Sequence, residues 1–166
     1  MYIKRLQPED GEYYRILRLE ALRNNPEAFS SSFEEEKGNS VEFYQNRLKS
    51  TLSYTFGAYK ENELIGVVSL VCEDKLKIRH RANIFAMYVS EEGRGKGVGR
   101  KLMSEAINQA KCIRNIEQLY LTVVSSNEPA KNLYASLGFE IIGEDKKALK
   151  VGNTYYDEDL MVLYLT

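Results

Sequence analysis

A glycine-rich segment between residues 93 and 100 carries the clearest chemical signal in the sequence, because four glycines alternate there with basic residues. The apolar pattern predicts that a strand ends before this segment and a helix begins after it. The start of a helix directs free N–H groups and about half a positive charge outward, which favours an anion. Glycine has no Cβ and accepts positive φ, so phosphate oxygens can approach the main chain closely. Further charge-assisted hydrogen bonds can come from Arg94, Lys96 and Arg100.

Two common nucleotide-binding patterns do not fit this loop. A Walker A loop requires G-x-x-x-x-G-K-[ST], but the sixth position counted from Gly93 or Gly95 is Val98 or Arg100. A dinucleotide G-x-G-x-x-G fails as well, because Gly95 and Gly97 are followed by Arg100 where the third glycine should stand. From these residues alone, the alternative to a phosphate loop is a flexible surface turn with solvated basic side chains.

A second motif lies downstream of the loop and completes a family resemblance. Arg94-x-x-Gly97-x-Gly99, after the predicted strand, resembles the acetyl-CoA signature of the GNAT superfamily of N-acetyltransferases. Residues 127–134 are Asn-Glu-Pro-Ala-Lys-Asn-Leu-Tyr and residues 137–139 are Leu-Gly-Phe, similar to the N-x-x-A-x-x-x-Y and G-F elements of that superfamily. The resemblance covers residues 82–165, whereas residues 1–71 are similar only in the order of their elements.

The resemblance implies a fold, a reaction and a set of site residues. It implies one N-acetyltransferase domain over residues 1–166, which uses acetyl-CoA to acetylate a small-molecule amine or a peptide N-terminus by direct attack in a ternary complex. The pantetheine arm would pair with the main chain at the end of the strand, where an N–H near Val89 would stabilise the oxyanion. Tyr134 would act as the acid for the departing thiolate. The cofactor-binding residues implied are Met87, Tyr88, Val89, Arg94, Gly95, Lys96, Gly97, Val98, Gly99, Arg100 and Asn127.

Structural roles compete with these functional ones at two positions. Tyr134 belongs to an i, i+3, i+4, i+7 stripe with Ala130, Leu133 and Leu137, which is typical of a ring that fills a core. A ring packed in the core with its hydroxyl in a cleft would satisfy both roles. Asn127 is equally well placed to cap a helix.

The base that takes the proton from the acceptor amine is not identified by the sequence. Some relatives in the superfamily carry a carboxylate at the position of Asn83, and its absence argues against a direct base there. A solvated loop is favoured for the acidic run at 34–36, and a surface or capping role for His80. Cys112 is expected to be a buried, inert thiol. The weak candidates for the base are Glu34, Glu35, Glu36, His80, Tyr156, Asp157 and Glu158.

Composition excludes several other classes of protein. The formal net charge is −1, from 23 Lys+Arg and 24 Asp+Glu, so no global field draws the chain to nucleic acid. The longest apolar run, Leu64–Cys72, is far short of the roughly 20 residues that cross a bilayer. The first ten residues lack the apolar core of a signal peptide, which favours the cytoplasm. Two cysteines and one histidine match no ligand spacing, so no metal is expected.

A non-catalytic acyl-CoA-binding module or sensor is the alternative function, and a homodimer through edge strands stays open.

The predicted elements alternate between strands and helices in a mixed order. That order predicts a mixed α/β sheet of about seven strands flanked by about four helices. In the first helix, Tyr13, Ile16, Leu17 and Ala21 are predicted to form the buried face. Strands are predicted at 2–6, 54–59, 64–71, 82–89, 118–124, 139–150 and 154–165, helices at 9–22, 40–48, after the glycine loop and at 127–137, and a loop at 29–37.

Overall fold

A computed structural model describes residues 1–165, and its centre is a seven-stranded sheet with the order β1-β2-β3-β4-β5-β7-β6. Within these residues only the β4–β5 pair is parallel, so the mixed sheet predicted from the sequence is confirmed. The last hairpin attaches to the sheet through β7, because β7 lies between β5 and β6. The strands are β1 (Tyr2–Arg5), β2 (Ser53–Lys60), β3 (Glu63–Cys72), β4 (Arg81–Val89), β5 (Gln118–Val124), β6 (Glu140–Val151) and β7 (Thr154–Tyr164).

Five α-helices and three short 3-10 turns connect these strands within residues 1–165. The helix ends follow local sequence signals: the Ser40 hydroxyl accepts from Phe43 N at the start of α3, and Asn127 caps α5. The 3-10 turns are at Pro8–Asp10, Pro26–Ala28 and Glu91–Gly93. The helices are α1 (Gly11–Asn24), α2 (Phe33–Glu36), α3 (Val41–Leu48), α4 (Val98–Cys112) and α5 (Glu128–Ser136).

The sheet has a hydrophobic core on each of its faces. On one face α4 packs with Leu102, Met103 and Ala106, all fully buried, as the spacing of its apolar residues predicts. On the other face α1 and α3 cover β2 and β3. Each buried large apolar side chain contributes about 1.5–3 kcal/mol, so these two cores hold β2, β3 and β4 rigidly.

Of the four residues predicted for the buried face of α1, Leu17 and Ala21 are buried and the other two are not. Tyr13 and Ile16 are about half exposed, and the buried stripe contains Tyr14 in place of Tyr13. The correct stripe also contains Arg18, which is only 7% exposed. A charged residue inside an apolar stripe requires a buried partner, and that partner is Glu36, described below.

The acidic run at 34–36 forms a helical turn where a loop was predicted. Ser32 and Glu35 make a capping box, in which Glu35 N donates to the Ser32 hydroxyl and Ser32 N donates to the Glu35 carboxylate. Glu34 and Glu35 are solvated, as expected for a charged run. Glu36 is 6% exposed, so for this residue the predicted solvated role is wrong.

No helix between residues 1 and 165 is long and apolar enough to cross a membrane. The same residues contain no group of three His, Cys, Asp or Glu side chains that could hold a metal ion.

Candidate active site

The two central strands separate and open a cleft in the sheet. Parallel pairing between β4 and β5 covers only Arg81–Asn83 with Gln118–Tyr120, after which the strands diverge. Just beyond the last parallel pair, Ala86 has a φ of 54° and the β3–β4 register shifts between Phe85 and Tyr88. Strand β4 therefore carries a bulge beside the point where it separates from β5. The cleft that results has a volume of about 1230 Å³ and reaches from the glycine loop to residues of α1 and α3.

The glycine loop forms one end of this cleft. Gly95 and Gly97 have φ values of 72° and 76°, the left-handed conformation that favours glycine. A Cβ built on either residue meets no atom within 4 Å, so each faces open space. Gly97 is the residue before α4, and the N–H groups of the first helical turn lie beyond the reach of the helix's own carbonyls. The loop therefore has the bared backbone and the helix start that phosphate binding requires.

The other two glycines of the loop serve packing. A Cβ on Gly99 would lie 3.1 Å from Met87 Cε and 3.3 Å from Leu133 Cδ2, and one on Gly93 would lie 2.9 Å from Val89 Cγ1. These distances let α4 approach β4 and α5 closely. The position of the loop relative to β4 thus depends on the absence of side chains at residues 93 and 99.

Each basic side chain of the loop has a partner within the chain. Arg94 Nε donates to the Val89 carbonyl at 2.9 Å, and its terminal nitrogen donates to Asn25 Oδ1 at 2.9 Å. Arg100 donates to Ser136 Oγ at 2.6 Å, and Lys96 Nζ donates to the Glu92 carbonyl at 2.6 Å. Arg94 and Arg100 line the cleft, whereas Lys96 does not.

The end of β4 forms the side wall of the cleft. Met87, Tyr88 and Val89 all line it, and Val89 pairs with Gly66 of β3 on its other side. The Tyr88 ring is buried and its hydroxyl donates to Glu20 Oε1 at 3.0 Å. Burial and this carboxylate raise the pKa of Tyr88.

Tyr134 is buried in the core yet lines the cleft. It is 7% exposed, and its ring makes an edge contact with Phe139 at 6.1 Å between centroids. Among residues 1–165 its hydroxyl has no hydrogen-bond partner, and burial raises the pKa of Tyr134 to about 12. Asn127 also lines the cleft while its side chain accepts from Ala130 N at 3.3 Å, so it caps α5 from within the site.

The structure separates the candidate bases. Tyr156 and Glu158 lie on one face of β7 and line the cleft. Asp157 instead accepts from Lys147 N at 2.8 Å outside the lining, and Glu36 is bound to Arg18. The side chains of Glu34, Glu35, His80 and Asp157 do not line the cleft.

The two cysteines and Asn83 all lie outside the lining of the cleft. Cys112 is exposed in the last turn of α4, so the predicted burial of its thiol is wrong. It does not line the cleft, and neither does Cys72. Asn83 Nδ2 donates to Glu73 Oε1 at 3.0 Å, also outside the lining.

Sequence reasoning missed two arginines that line the cleft, Arg18 in α1 and Arg47 in α3. Arg18 donates to Glu36 through Nε at 3.0 Å and through a terminal nitrogen at 3.3 Å, and Tyr44 donates its hydroxyl to the same carboxylate at 3.2 Å. Arg47 lies 3.6 Å from Glu36. The correct stripe of α1 would have singled out Arg18, but no local signal distinguishes Arg47 from a solvated residue.

Comparison with known proteins agrees with this geometry. The model of the Acetyltransferase (GNAT) family matches residues 14–139. The chain is 27% identical over 163 residues to a spermidine N(1)-acetyltransferase of Escherichia coli K12, covering 96% of this chain and 85% of that protein. It is 31% identical over 121 residues to an N-alpha-acetyltransferase of Sulfurisphaera tokodaii, covering 69% of this chain and 68% of that protein.

Among solved structures, a GNAT superfamily phosphinothricin acetyltransferase from Sinorhizobium meliloti in complex with acetyl-CoA has the same fold. It superposes with a TM-score of 0.85 at 21% identity, covering 99% of this chain and 88% of that chain. The fold, the glycine loop and these matches together define a class of protein: the chain belongs to the acetyltransferase (GNAT) family. It is an acetyl-CoA-dependent N-acetyltransferase, as the sequence resemblance predicted.

Proposed function

We propose that the chain acetylates the primary amine of a small molecule or a peptide N-terminus by direct attack on acetyl-CoA in a ternary complex. The observation that carries this proposal is the single cleft that joins the glycine loop, the end of β4 and Tyr134 to an open region over β2, β3 and β7. Both substrates can therefore be present at once. No thiol among residues 1–165 lines the cleft, which argues against an acetylated cysteine as a carrier.

The cofactor half of the cleft is assigned to the loop and to β4. We place the pyrophosphate against the N–H groups of Val98, Gly99 and Arg100, where the start of α4 supplies partial positive charge. Arg94 and Arg100 line this end and would add charge-assisted hydrogen bonds. Lys96 lies outside the lining, and its predicted role is limited to long-range attraction. The pantetheine amides would pair with main-chain groups of residues 87–89, and Asn127 would contact the cofactor from the start of α5.

The chemistry follows from these positions. The amine nitrogen forms a bond to the thioester carbon, and the resulting oxyanion is stabilised by a main-chain N–H near Val89. The oxyanion then re-forms the carbonyl, the C–S bond breaks with its electron pair on sulfur, and the attacking nitrogen loses its extra proton to solvent to give a neutral amide. A pKa of about 12 for Tyr134 lies above the value of about 8.5 for a thiol, so full proton transfer to sulfur would be uphill by about 5 kcal/mol. Tyr134 is therefore assigned as a hydrogen-bond donor that stabilises the thiolate.

The proton of the acceptor ammonium must leave before attack. Of the acidic candidates, Glu158 lines the cleft and lies opposite Val124, at the end of β5 where the strands diverge. A carboxylate at this position can take the proton directly or through one water. We assign Glu158 as the base, with Tyr156 as its neighbour on the same face of β7.

The two relatives named above act on spermidine and on α-amino groups according to their names, and both acceptors present a primary amine. The need for acetyl-CoA supports a cytoplasmic location. A homodimer stays a prediction, since β1 and β6 are the free edges of the sheet and edge strands can pair. The family match disfavours a non-catalytic sensor.

Release of free thiol from acetyl-CoA across a panel of amino acids, polyamines, alkylamines and short peptides tests the proposal. At least one amine should support turnover. Tyr134→Phe should lower kcat about 10- to 100-fold with little change in the affinity for CoA, because one hydrogen bond to a charged group is lost. Glu158→Gln should lower kcat/KM most at neutral pH and recover at high pH, where the amine is already deprotonated.

Matched controls keep these outcomes specific. Tyr156→Phe retains the ring beside Glu158, and Glu144→Gln removes a carboxylate from β6 outside the cleft lining. If no amine in the panel supports turnover, the proposed function is refuted. Wild-type kcat in Tyr134→Phe would return this residue to a packing role.

A further inference from the structure

The wall of the cleft formed by α1 and α3 carries a buried ion pair that is already complete. Arg18 and Glu36 have side chains 9% and 8% exposed, and the two arginine nitrogens bind both carboxylate oxygens. The Tyr44 hydroxyl donates to the same carboxylate. Such a pair is neutral as a unit, and each partner satisfies the charge of the other.

The positive charge of a second arginine on this wall, Arg47, is not neutralised by Glu36. Arg47 is 3.6 Å from Glu36 but makes no hydrogen bond to it, and its side chain is 42% exposed. Its guanidinium lies over the rings of Phe43 and Tyr44, with its carbon 5.3 and 5.9 Å from the ring centroids, so its position is constrained. Because Arg18 already neutralises Glu36, the cluster of three charges is positive by one. Arg47 lines the cleft, and its guanidinium makes no hydrogen bond to any group of residues 1–165, so its N–H donors remain available there.

Four hydroxyl-bearing residues between α3 and the end of β3 also line the cleft, and an acidic residue lines it from β7. These residues are Ser50, Ser53, Thr55 and Ser69, and the Thr55 and Ser69 hydroxyls share a hydrogen bond of 2.8 Å. Among residues 1–165, two acidic residues line the cleft: Glu158 on β7, and Glu27 in the 3-10 turn after α1, which contacts α1 as well as β5 and β6. The arginines belong to helices that pack on β2 and β3. Arg47 and Glu158 therefore border the cleft on opposite sides of the line where β4 and β5 separate.

We propose that the acceptor is an amino acid or a close analogue, whose carboxylate is bound by Arg47 while its amine lies toward Glu158. This inference rests on the proposed function and names the substrate class of the same site. A planar guanidinium with free donors matches the two oxygens of a carboxylate. A polyamine has no anion to place there, and its second ammonium would meet the positive wall. A zwitterion would place its carboxylate at Arg47 and its ammonium toward Glu158, on the other side of the cleft.

Pairs of acceptors that differ only in the carboxylate test this inference. The panel contains the common amino acids and a series of ω-amino acids of increasing length, each with its carboxamide, together with spermidine and butylamine. The best acceptor should carry a carboxylate, and kcat/KM for it should exceed that of its amide about 10- to 100-fold. In Arg47→Ala this ratio should fall to near one.

Arg23→Ala is the matched control. Arg23 also lies over an aromatic ring, with its guanidinium carbon 4.6 Å from the centroid of Phe33, but it does not line the cleft. This variant should keep the carboxylate-to-amide ratio. If Arg47→Ala melts at a lower temperature than the wild type, Arg47→Gln retains the packing over Phe43 and should lose the ratio in the same way.

The outcomes separate this inference from the proposed function. Turnover of spermidine or butylamine in preference to every carboxylate-bearing amine would overturn the inference and leave the proposed function in place. An unchanged ratio in both Arg47 variants would also overturn it. If no amine in the panel supports thiol release, the proposed function is refuted, and this inference is refuted with it.

Discussion

Replacing Gly97 with alanine separates the two reasons for a glycine at the start of α4. The residue has a φ of 76°, so alanine there is strained by about 1–2 kcal/mol. For a domain of this length, that strain lowers the melting temperature by roughly 2–8 °C. The new Cβ meets no protein atom within 4 Å, and the residue lines the cleft, so the methyl group takes space in front of the first turn of α4. Loss of one hydrogen bond between a phosphate and the main chain, worth about 1.5–3 kcal/mol, would raise the Kd for CoA about 10- to 100-fold.

Gly152 supplies the control for the strain. It lies in the turn between β6 and β7 with a φ of 60°, a Cβ there also meets nothing within 4 Å, and it does not line the cleft. Both alanine variants should lose similar melting temperature, and only Gly97→Ala should lose affinity in a calorimetric titration with CoA. Equal CoA affinity in the two variants would refute the reasoning that the backbone at residue 97 faces the phosphates.

Two further predictions concern buried charges outside the cofactor half. Glu36→Gln leaves Arg18 as an uncompensated buried cation and should cost about 3–5 kcal/mol in denaturant unfolding, whereas Glu34→Gln, at an exposed site, should change stability by less than about 0.5 kcal/mol; equal losses would contradict the buried pair. The Lys131 ammonium and the Ser125 hydroxyl bind Asp159 and lower its pKa, so its contribution is complete above the unfolded value of about 3.9 and is lost as pH falls through the folded value. The difference in unfolding free energy between wild type and Asp159→Asn should thus be largest at pH 7 and shrink below pH 4; a difference that does not change with pH would count against this assignment.

Most of the fold could be predicted from local sequence because its elements begin and end at residues with one clear physical role. Ser40 and Asn127 cap helices as expected, and the apolar spacing of α4 places Leu102 and Met103 in the core. The error in α1 arose because Tyr13 and Tyr14 are both tyrosines, so periodicity alone could not select the buried one. The buried state of Glu36 depends on Arg18, 18 residues away in sequence, and no local pattern carries that contact.

The proposed cofactor half and the proposed acceptor half of the cleft differ in the atoms that they present, and this explains why only the first could be proposed from the sequence. Backbone groups form the proposed phosphate site, so its requirement appears in one continuous stretch as glycines before a helix. Side chains from α1, α3 and β7 form the proposed acceptor walls, and only the completed sheet brings Arg47 and Glu158 to the same cleft. A substitution at Arg47 can therefore alter the acceptor without touching the loop. This separation implies that CoA affinity and acceptor preference should vary independently: Arg47→Ala should leave the calorimetric Kd for CoA within about twofold of wild type, and a larger change would mean that the two halves are coupled.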